Sequence, residues 1–114
     1  MENVILNKSF EFAVSIVKMS RWLQEEKKEY TLSKQILRSG TSIGANITEA
    51  QHAQSKADFK SKMSIALKEA NETDYWLRLL KYTDYIDEIT YSTLYSKCDE
   101  LIKLLVSIVK NTKK

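Results

Sequence analysis

The chain has 114 residues, a length that suits one domain with a single core and is too short for two. It has no proline and two glycines, and this scarcity of turn-forming residues favours a few long helices over many short elements. Its 18 basic and 15 acidic residues give a formal charge of +3, too mild for the densely basic character of a stand-alone nucleic-acid-binding domain.

The first two helices are predicted from apolar spacing and from a capping residue. The first helix should run from about residue 7 to 28. Its expected core stripe consists of Leu6, Phe10, Ala13, Val14, Val17 and Leu23. The second helix should begin near Thr31 or Ser33, either of which can cap it, and continue to about residue 53.

The third and fourth helices show clearer patterns. Ser55 should cap the third helix, with Asp58 in its first turn and its end near Tyr82. The expected core positions of that helix are Phe59, Met63, Ala66, Ala70, Thr73, Leu77 and Leu80. The fourth helix should cover about residues 87–109, with Leu94, Cys98, Leu101, Leu105 and Ile108 facing inward.

These helices have matched lengths and short connections, which force neighbouring helices to run antiparallel. The expected fold is all-α, an antiparallel up-down four-helix bundle forming a single domain over residues 1–114.

Both glycines of the chain lie in the second predicted helix, four residues apart. Gly40 and Gly44 fall on the side that also carries Ile36, Ile43 and Ile47. Glycine in a helix interior costs roughly 0.5–1 kcal/mol relative to alanine. Two in one helix therefore predict a seam where another backbone approaches closely.

A polar stripe follows the neighbouring face of the same helix. We expect it to meet two glutamates that lie three residues apart on the third helix, and to form a closed structural network that fixes helix register or subunit packing. The members of this network would be Arg38, Ser42, Asn46, Glu49, Glu69 and Glu72. The alternatives are a solvated face and a site for a ligand or partner.

Two segments resemble a known family. Residues 35–50 (QILRSGTSIGANITEA) and 59–73 (FKSKMSIALKEANET) are similar to the signature of bacterial 23S rRNA intervening-sequence proteins. That family is in turn similar to the accessory variability protein of diversity-generating retroelements. The resemblance implies a four-helix subunit, a homopentameric ring, and a role in binding RNA or a reverse transcriptase.

The basic residues of the third helix are candidates for nucleic-acid binding. They are Lys56, Lys60, Lys68, Arg78 and Lys81, and they do not form one stripe. A solubilising outer face is one interpretation. The other requires symmetry, because a ring of subunits repeats each lysine and builds a positive surface for RNA phosphates.

The strongest enzyme-like pattern is the Glu-x-x-His sequence from Glu49 to His52. Such pairs bind metal in di-iron bundle proteins, which need two of them and two further glutamates. His52 is the only histidine, so one subunit cannot complete the set. Cys98 lies among leucines, as expected of a buried packing residue. We therefore predict no catalytic residue, no metal site and no cofactor.

The aromatic residues Tyr75 and Trp76 are adjacent and cannot both face the core. We expect Trp76 in the core or at a subunit interface, with stacking on RNA bases as the alternative.

Compartment is suggested by cysteine content and hydropathy. One cysteine cannot form an internal disulfide, which favours a reducing compartment. No apolar run approaches the roughly 20 residues that span a bilayer. Residues 10–17 are interrupted by Glu11 and lack the cleavage pattern of a signal peptide. We expect a cytoplasmic protein with no membrane partner.

Together these patterns predict a non-catalytic homo-oligomeric scaffold, a pentamer by resemblance, that binds RNA or an RNA-processing partner. The alternative is a structural or regulatory protein-interaction module with no nucleic-acid role. A metal-dependent enzyme is the third class considered.

Overall fold

The structure, a computed structural model, describes residues 3–112 and contains four helices and no strand within them. The helices are α1 (Val4–Glu26), α2 (Leu32–Ala50), α3 (Lys56–Tyr82) and α4 (Glu88–Asn111). Each packs against the next along the chain, and α4 closes the bundle with a sparser contact to α1. The predicted all-α fold, a four-helix bundle, is confirmed.

Contacts between helices show that neighbours run in opposite directions. Along α1 and α2, the Ser20 hydroxyl donates to the carbonyl of Ser33, while Ser9 at the other end lies beside Gly44. Along α2 and α3, Arg38 meets Glu72 and Glu49 meets Lys62. Each pair of contacts joins an early residue of one helix to a late residue of its neighbour. Consequently α1 and α3 run parallel to each other.

Side-chain caps begin three of the helices. The Ser55 hydroxyl accepts the backbone N–H of Asp58 at 3.0 Å, so the predicted cap of α3 is confirmed. The Asn3 side chain accepts the backbone N–H of Leu6, and α1 begins at Val4, three residues before its predicted start. Asp87 accepts from Thr90 N–H at 2.7 Å and starts α4. Each bond satisfies a backbone donor that the first helical turn leaves unpaired.

The start of α2 differs from its prediction. The Thr31 side chain makes no capping bond, and the Ser33 hydroxyl donates to the carbonyl of Glu29. Instead the Glu29 carboxylate accepts the backbone N–H groups of Thr31, Leu32 and Ser33 at 3.2, 3.0 and 2.8 Å. Glu29 is buried. A carboxylate at this position also complements the positive end of the helix dipole, which explains why it replaces a hydroxyl cap.

In the predicted core stripe of α1, Leu23 is buried and Leu6 is half-buried against the core, and the other assignments are wrong. Phe10 is 70% exposed and Val14 is 38% exposed. The buried apolar stripe instead consists of Ile5, Phe12, Ile16, Met19 and Leu23. α1 therefore carries two apolar stripes, roughly a third of a turn apart around the helix axis. Helical spacing alone fits both.

The core positions of α3 and α4 are largely confirmed. The buried residues are Met63, Ala66, Ala70, Thr73, Leu77 and Leu80 from α3 and Leu94, Cys98, Leu101 and Leu105 from α4. Phe59 and Ile108, at the ends of these series, are only half-buried. Each of these helices has one dominant apolar stripe, so its periodicity points to a single core face.

Candidate functional site

The close contact between α1 and α2 is centred on Gly40. A Cβ atom at Gly40 would lie 2.9 Å from Cγ2 and 3.0 Å from Cγ1 of Ile16, which is fully buried. At Gly44 the nearest atom to an added Cβ would be the carbonyl oxygen of Ser9, at 3.4 Å, which is an ordinary contact. The close approach of α1 and α2 therefore requires glycine at position 40, whereas position 44 has room for a Cβ atom.

Part of the predicted polar network forms across α2 and α3. Arg38 Nη2 lies 2.7 Å from Glu72 Oε2, and Arg38 Nη1 lies 3.7 Å from Glu69 Oε1. Trp76 Nε1 donates to the same Glu72 oxygen at 3.1 Å. The Trp76 N–H and then the Arg38 guanidinium hold the pKa of the Glu72 carboxyl below its usual value. Trp76 thus lies at the edge of the core with its indole N–H satisfied.

The other members of the predicted network do not join it. Ser42 donates to the carbonyl of Arg38, and Asn46 donates to the carbonyl of Ser42, so both bond to their own helix backbone. Short polar side chains in a helix commonly reach the carbonyl four residues back. Glu49 pairs with Lys62 at 2.9 Å. Arg38 is 56% exposed, so the expected closed and buried network is replaced by two separate surface ion-pair sites.

Arg38→Ala is expected to reduce the free energy of unfolding by about 1 kcal/mol or less. Exposed ion pairs contribute little, although Glu69, whose side chain is only 13% exposed, would lose its nearest cation.

Because the pKa of Glu72 is lowered in the fold, its stabilising contribution is present above the unfolded pKa and is lost as pH falls through the folded pKa. Urea unfolding from neutral to acidic pH should show less acid destabilisation for Glu72→Gln than for wild type. If acid destabilises Glu72→Gln as much as wild type, that result would contradict the lowered pKa of Glu72.

The five candidate nucleic-acid residues of α3 divide into three lysines without an ion pair and two side chains that form one. Lys56, Lys60 and Lys68 form no ion pair with any carboxylate in residues 3–112. Arg78 is loosely paired, with its Nε 3.9 Å from Asp74. Lys81 is fixed, since its ammonium lies 2.7 Å from Glu88 and packs over the rings of Tyr82 and Tyr91. The hydrogen bond to Glu88 raises the pKa of Lys81. Only the first group is free to meet an external anion.

The structure also shows a surface that the sequence patterns did not predict. The exposed stripe of α1 lies beside small residues of α2, and together they enclose a cleft of about 550 Å³. We call this surface the α1–α2 face; its apolar and small residues are Leu6, Phe10, Ala13, Val14, Val17, Thr41, Gly44, Ala45 and Thr48, and it is also lined by Asn7, Ser9, Glu11, Lys18 and Arg21. The signal that could have revealed it is the presence of two complete apolar stripes in one helix.

The remaining chemical candidates are the Glu-x-x-His pattern and Cys98. His52 is exposed, and Glu49 of the Glu-x-x-His pattern is paired with Lys62. Within residues 3–112, no three histidine, cysteine, aspartate or glutamate side chains lie close enough together to hold a metal ion. Cys98 donates its thiol hydrogen to the carbonyl of Ala70, and burial raises its pKa to about 12. Such a thiol stays protonated and serves packing. Within the same range, none of the helices could cross a membrane.

Comparison with known proteins adds a family assignment. The family model for the 23S rRNA-intervening sequence protein matches residues 1–107. The chain belongs to this family. Membership in the 23S rRNA-intervening sequence protein family confirms the resemblance found in residues 35–50 and 59–73.

A solved structure supports the same assignment. The chain is similar to a crystal structure of a protein of unknown function from the S23 ribosomal protein family of Bacteroides thetaiotaomicron. The two share 57% sequence identity with a TM-score of 0.93, and the match covers 94% of this chain and 99% of the other. No curated protein matches the chain. The comparisons thus show a family and a fold.

Proposed function

We propose that this family member is a non-catalytic homo-oligomeric scaffold of the cytoplasm that binds RNA or an RNA-processing partner such as a reverse transcriptase. The pentameric state follows the resemblance described above. The observation that carries the proposal is the unpaired state of Lys56, Lys60 and Lys68 within residues 3–112.

Glutamates of α2 and α3 near these lysines are paired with other cations. Glu49 is held by Lys62, while Glu69 and Glu72 both face Arg38. Lys62 offsets Glu49, and Arg38 offsets one of the two glutamates that face it. With Asp58 also counted, the three lysines leave this surface one positive charge in excess. A ring would repeat them in every subunit, so a modest charge per chain becomes a continuous positive surface for phosphates.

A binding measurement with structured RNA tests the proposal. The triple variant Lys56→Glu, Lys60→Glu, Lys68→Glu should weaken binding at low salt by about tenfold or more, because phosphate contacts release counterions. Wild-type binding should also fall steeply from low to moderate salt. A matched triple on α4, Lys97→Glu, Lys103→Glu and Lys110→Glu, controls for net charge. Equal losses in both triples would show that the α3 lysines have no special role.

The second candidate function is a protein-interaction module with no nucleic-acid role. The exposed apolar residues of the α1–α2 face favour it, because contiguous apolar surfaces mark protein contacts. Absence of RNA binding at low salt, with self-association retained, would select this candidate over the first.

A further inference from the structure

The side of α3 that points away from the bundle carries a row of exposed residues. They recur at steps of three, four or seven positions, which places them on one face of the helix. We call this row the α3 outer face; it consists of Ser61, Lys68, Asn71, Tyr75, Arg78 and Tyr82. It extends for about 30 Å along the helix axis, a length that suits an elongated partner.

Both charged residues of the α3 outer face, Lys68 and Arg78, are cations. The structure describes all of α3, and none of the residues exposed on that helix is acidic. The carboxylates of α3 are half-buried and lie off this face; they belong to Asp58, Glu69, Glu72 and Asp74. Exposed carboxylates follow between α3 and α4, at Asp84 and Asp87, so the positive face ends at Tyr82. Its charge is complementary to that of phosphates.

Two tyrosines give this face flat aromatic surface. Tyr82 is 76% exposed and Tyr75 is 50% exposed, and both rings line a cleft of about 200 Å³ together with Arg78 and Leu79. The Arg78 guanidinium is a second kind of flat group in this cleft, held only loosely by Asp74. Exposed aromatic rings beside cations are the groups on which the bases of single-stranded nucleic acids stack.

Neighbouring side chains hold both rings in place. Tyr75 packs edge-on against Trp76, with 5.0 Å between the ring centroids. The Lys81 ammonium lies 5.2 Å from the centroid of the Tyr82 ring and is itself fixed by Glu88. A ring that is already positioned loses less conformational entropy when a ligand binds, so both tyrosines are prepared for contact.

The spacing of the tyrosines suits a strand whose bases are unpaired. Tyr75 and Tyr82 are two helical turns apart, about 10.5 Å along the axis, whereas the bases of one duplex strand rise by about 3.4 Å per step. The two rings therefore contact different bases of the same strand. In a duplex the faces of the bases are covered by neighbouring pairs, so only an unpaired strand offers them to both rings.

A protein partner fits this face less well. Leu79 is the one aliphatic residue that lines the cleft, and the polar Ser61 and Asn71 interrupt the rest of the face. Protein contacts are marked by contiguous apolar area and contain few lysines, whereas this face combines two cations with separate aromatic rings.

We infer that the α3 outer face binds an unpaired strand of RNA, with bases stacked on Tyr75 and Tyr82 and a phosphate held by Lys68. The Arg78 guanidinium supplies a flat cationic surface beside the two rings. This inference rests on the RNA binding of the proposed function, and it specifies the form of the RNA and the side chains that recognise it.

Fluorescence anisotropy with a labelled uridine oligomer of about 12 nucleotides tests the inference. The double variant Tyr75→Ala, Tyr82→Ala should bind this strand about 25-fold or more weakly than wild type, because stacking on two rings is lost. The slope of the logarithm of the binding constant against the logarithm of salt concentration should not change, because no charge is removed. Lys68→Gln should instead reduce that slope by about 0.7, the value for one phosphate of a single strand.

Two matched variants serve as controls. Tyr75→Phe, Tyr82→Phe keeps both rings and should bind within about twofold of wild type. Tyr30→Ala removes a ring that is also 50% exposed but lies outside α3, and it too should bind within about twofold. A fully paired RNA duplex of the same length should bind the double alanine variant as tightly as wild type, because its bases cannot reach the rings.

Helical circular dichroism and melting temperature check the fold of each variant. If the double alanine variant does not fold, Tyr82→Ala tests the same stacking at the more exposed ring, with an expected loss of about fivefold.

The outcomes separate the inference from the proposed function. If the alanine variants bind the uridine oligomer as tightly as wild type, or lose equal affinity for the duplex, the inference is overturned and RNA binding stands. If wild type binds neither the oligomer nor structured RNA at low salt, the proposed RNA binding is overturned and the inference with it.

Discussion

Gly40→Val is expected to destabilise the bundle by about 3 kcal/mol, the upper range for overpacking a well-filled core. Even the first added carbon would lie 2.9 Å from Ile16 Cγ2, and valine adds two methyl groups beyond it. Ile16 is fully buried, and because protein interiors are closely packed it has little room to shift. Relief requires α1 and α2 to separate, which would open the core along their whole contact. Urea unfolding at low protein concentration measures the loss.

The matched control is Gly44→Ala, in the same helix and four residues away. Its Cβ would meet Ser9 at 3.4 Å, and alanine in a helix interior gains up to about 1 kcal/mol over glycine. We expect an unchanged or slightly raised free energy of unfolding. If the two variants lose similar stability, the close approach is not specific to Gly40.

Glu29→Ala should be the second large effect, with a loss of about 2 kcal/mol. One buried carboxylate accepts three backbone N–H groups at the start of α2, and its removal leaves all three without that partner. Hydrogen bonds to a charged acceptor are stronger than neutral ones, and the carboxylate also faces the positive end of the helix dipole. The free energy of unfolding and amide exchange at residues 31–33 both report on the change.

Thr31→Ala is the matched control, since Thr31 precedes the helix but its side chain makes no capping bond. It should change the free energy of unfolding by less than about 0.5 kcal/mol. A larger loss for Thr31→Ala than for Glu29→Ala would return the capping role to the hydroxyl predicted from the sequence.

Two features of the site could be predicted from what a single side chain requires. Gly40 is recognisable because a glycine inside a strong helical pattern needs a packing reason. The pairing of Arg38 with Glu72 follows from the reach of a guanidinium across two antiparallel helices. Ser42 and Asn46 were assigned to the same network because they share a helix face, yet each bonds to its own backbone. Sequence spacing fixes the face of a residue and does not fix its bonding partner.

The sequence by itself determined four helices, their approximate ends and the inner faces of α3 and α4, because each of those two helices has one dominant apolar stripe. Only the tertiary structure decided which of two stripes on α1 is buried. Gly40 allows α2 to approach closest where Ile16 lies, so that stripe enters the core and Phe10 stays outside. Helical periodicity is a property of one segment, whereas burial depends on the shape of the neighbouring helix.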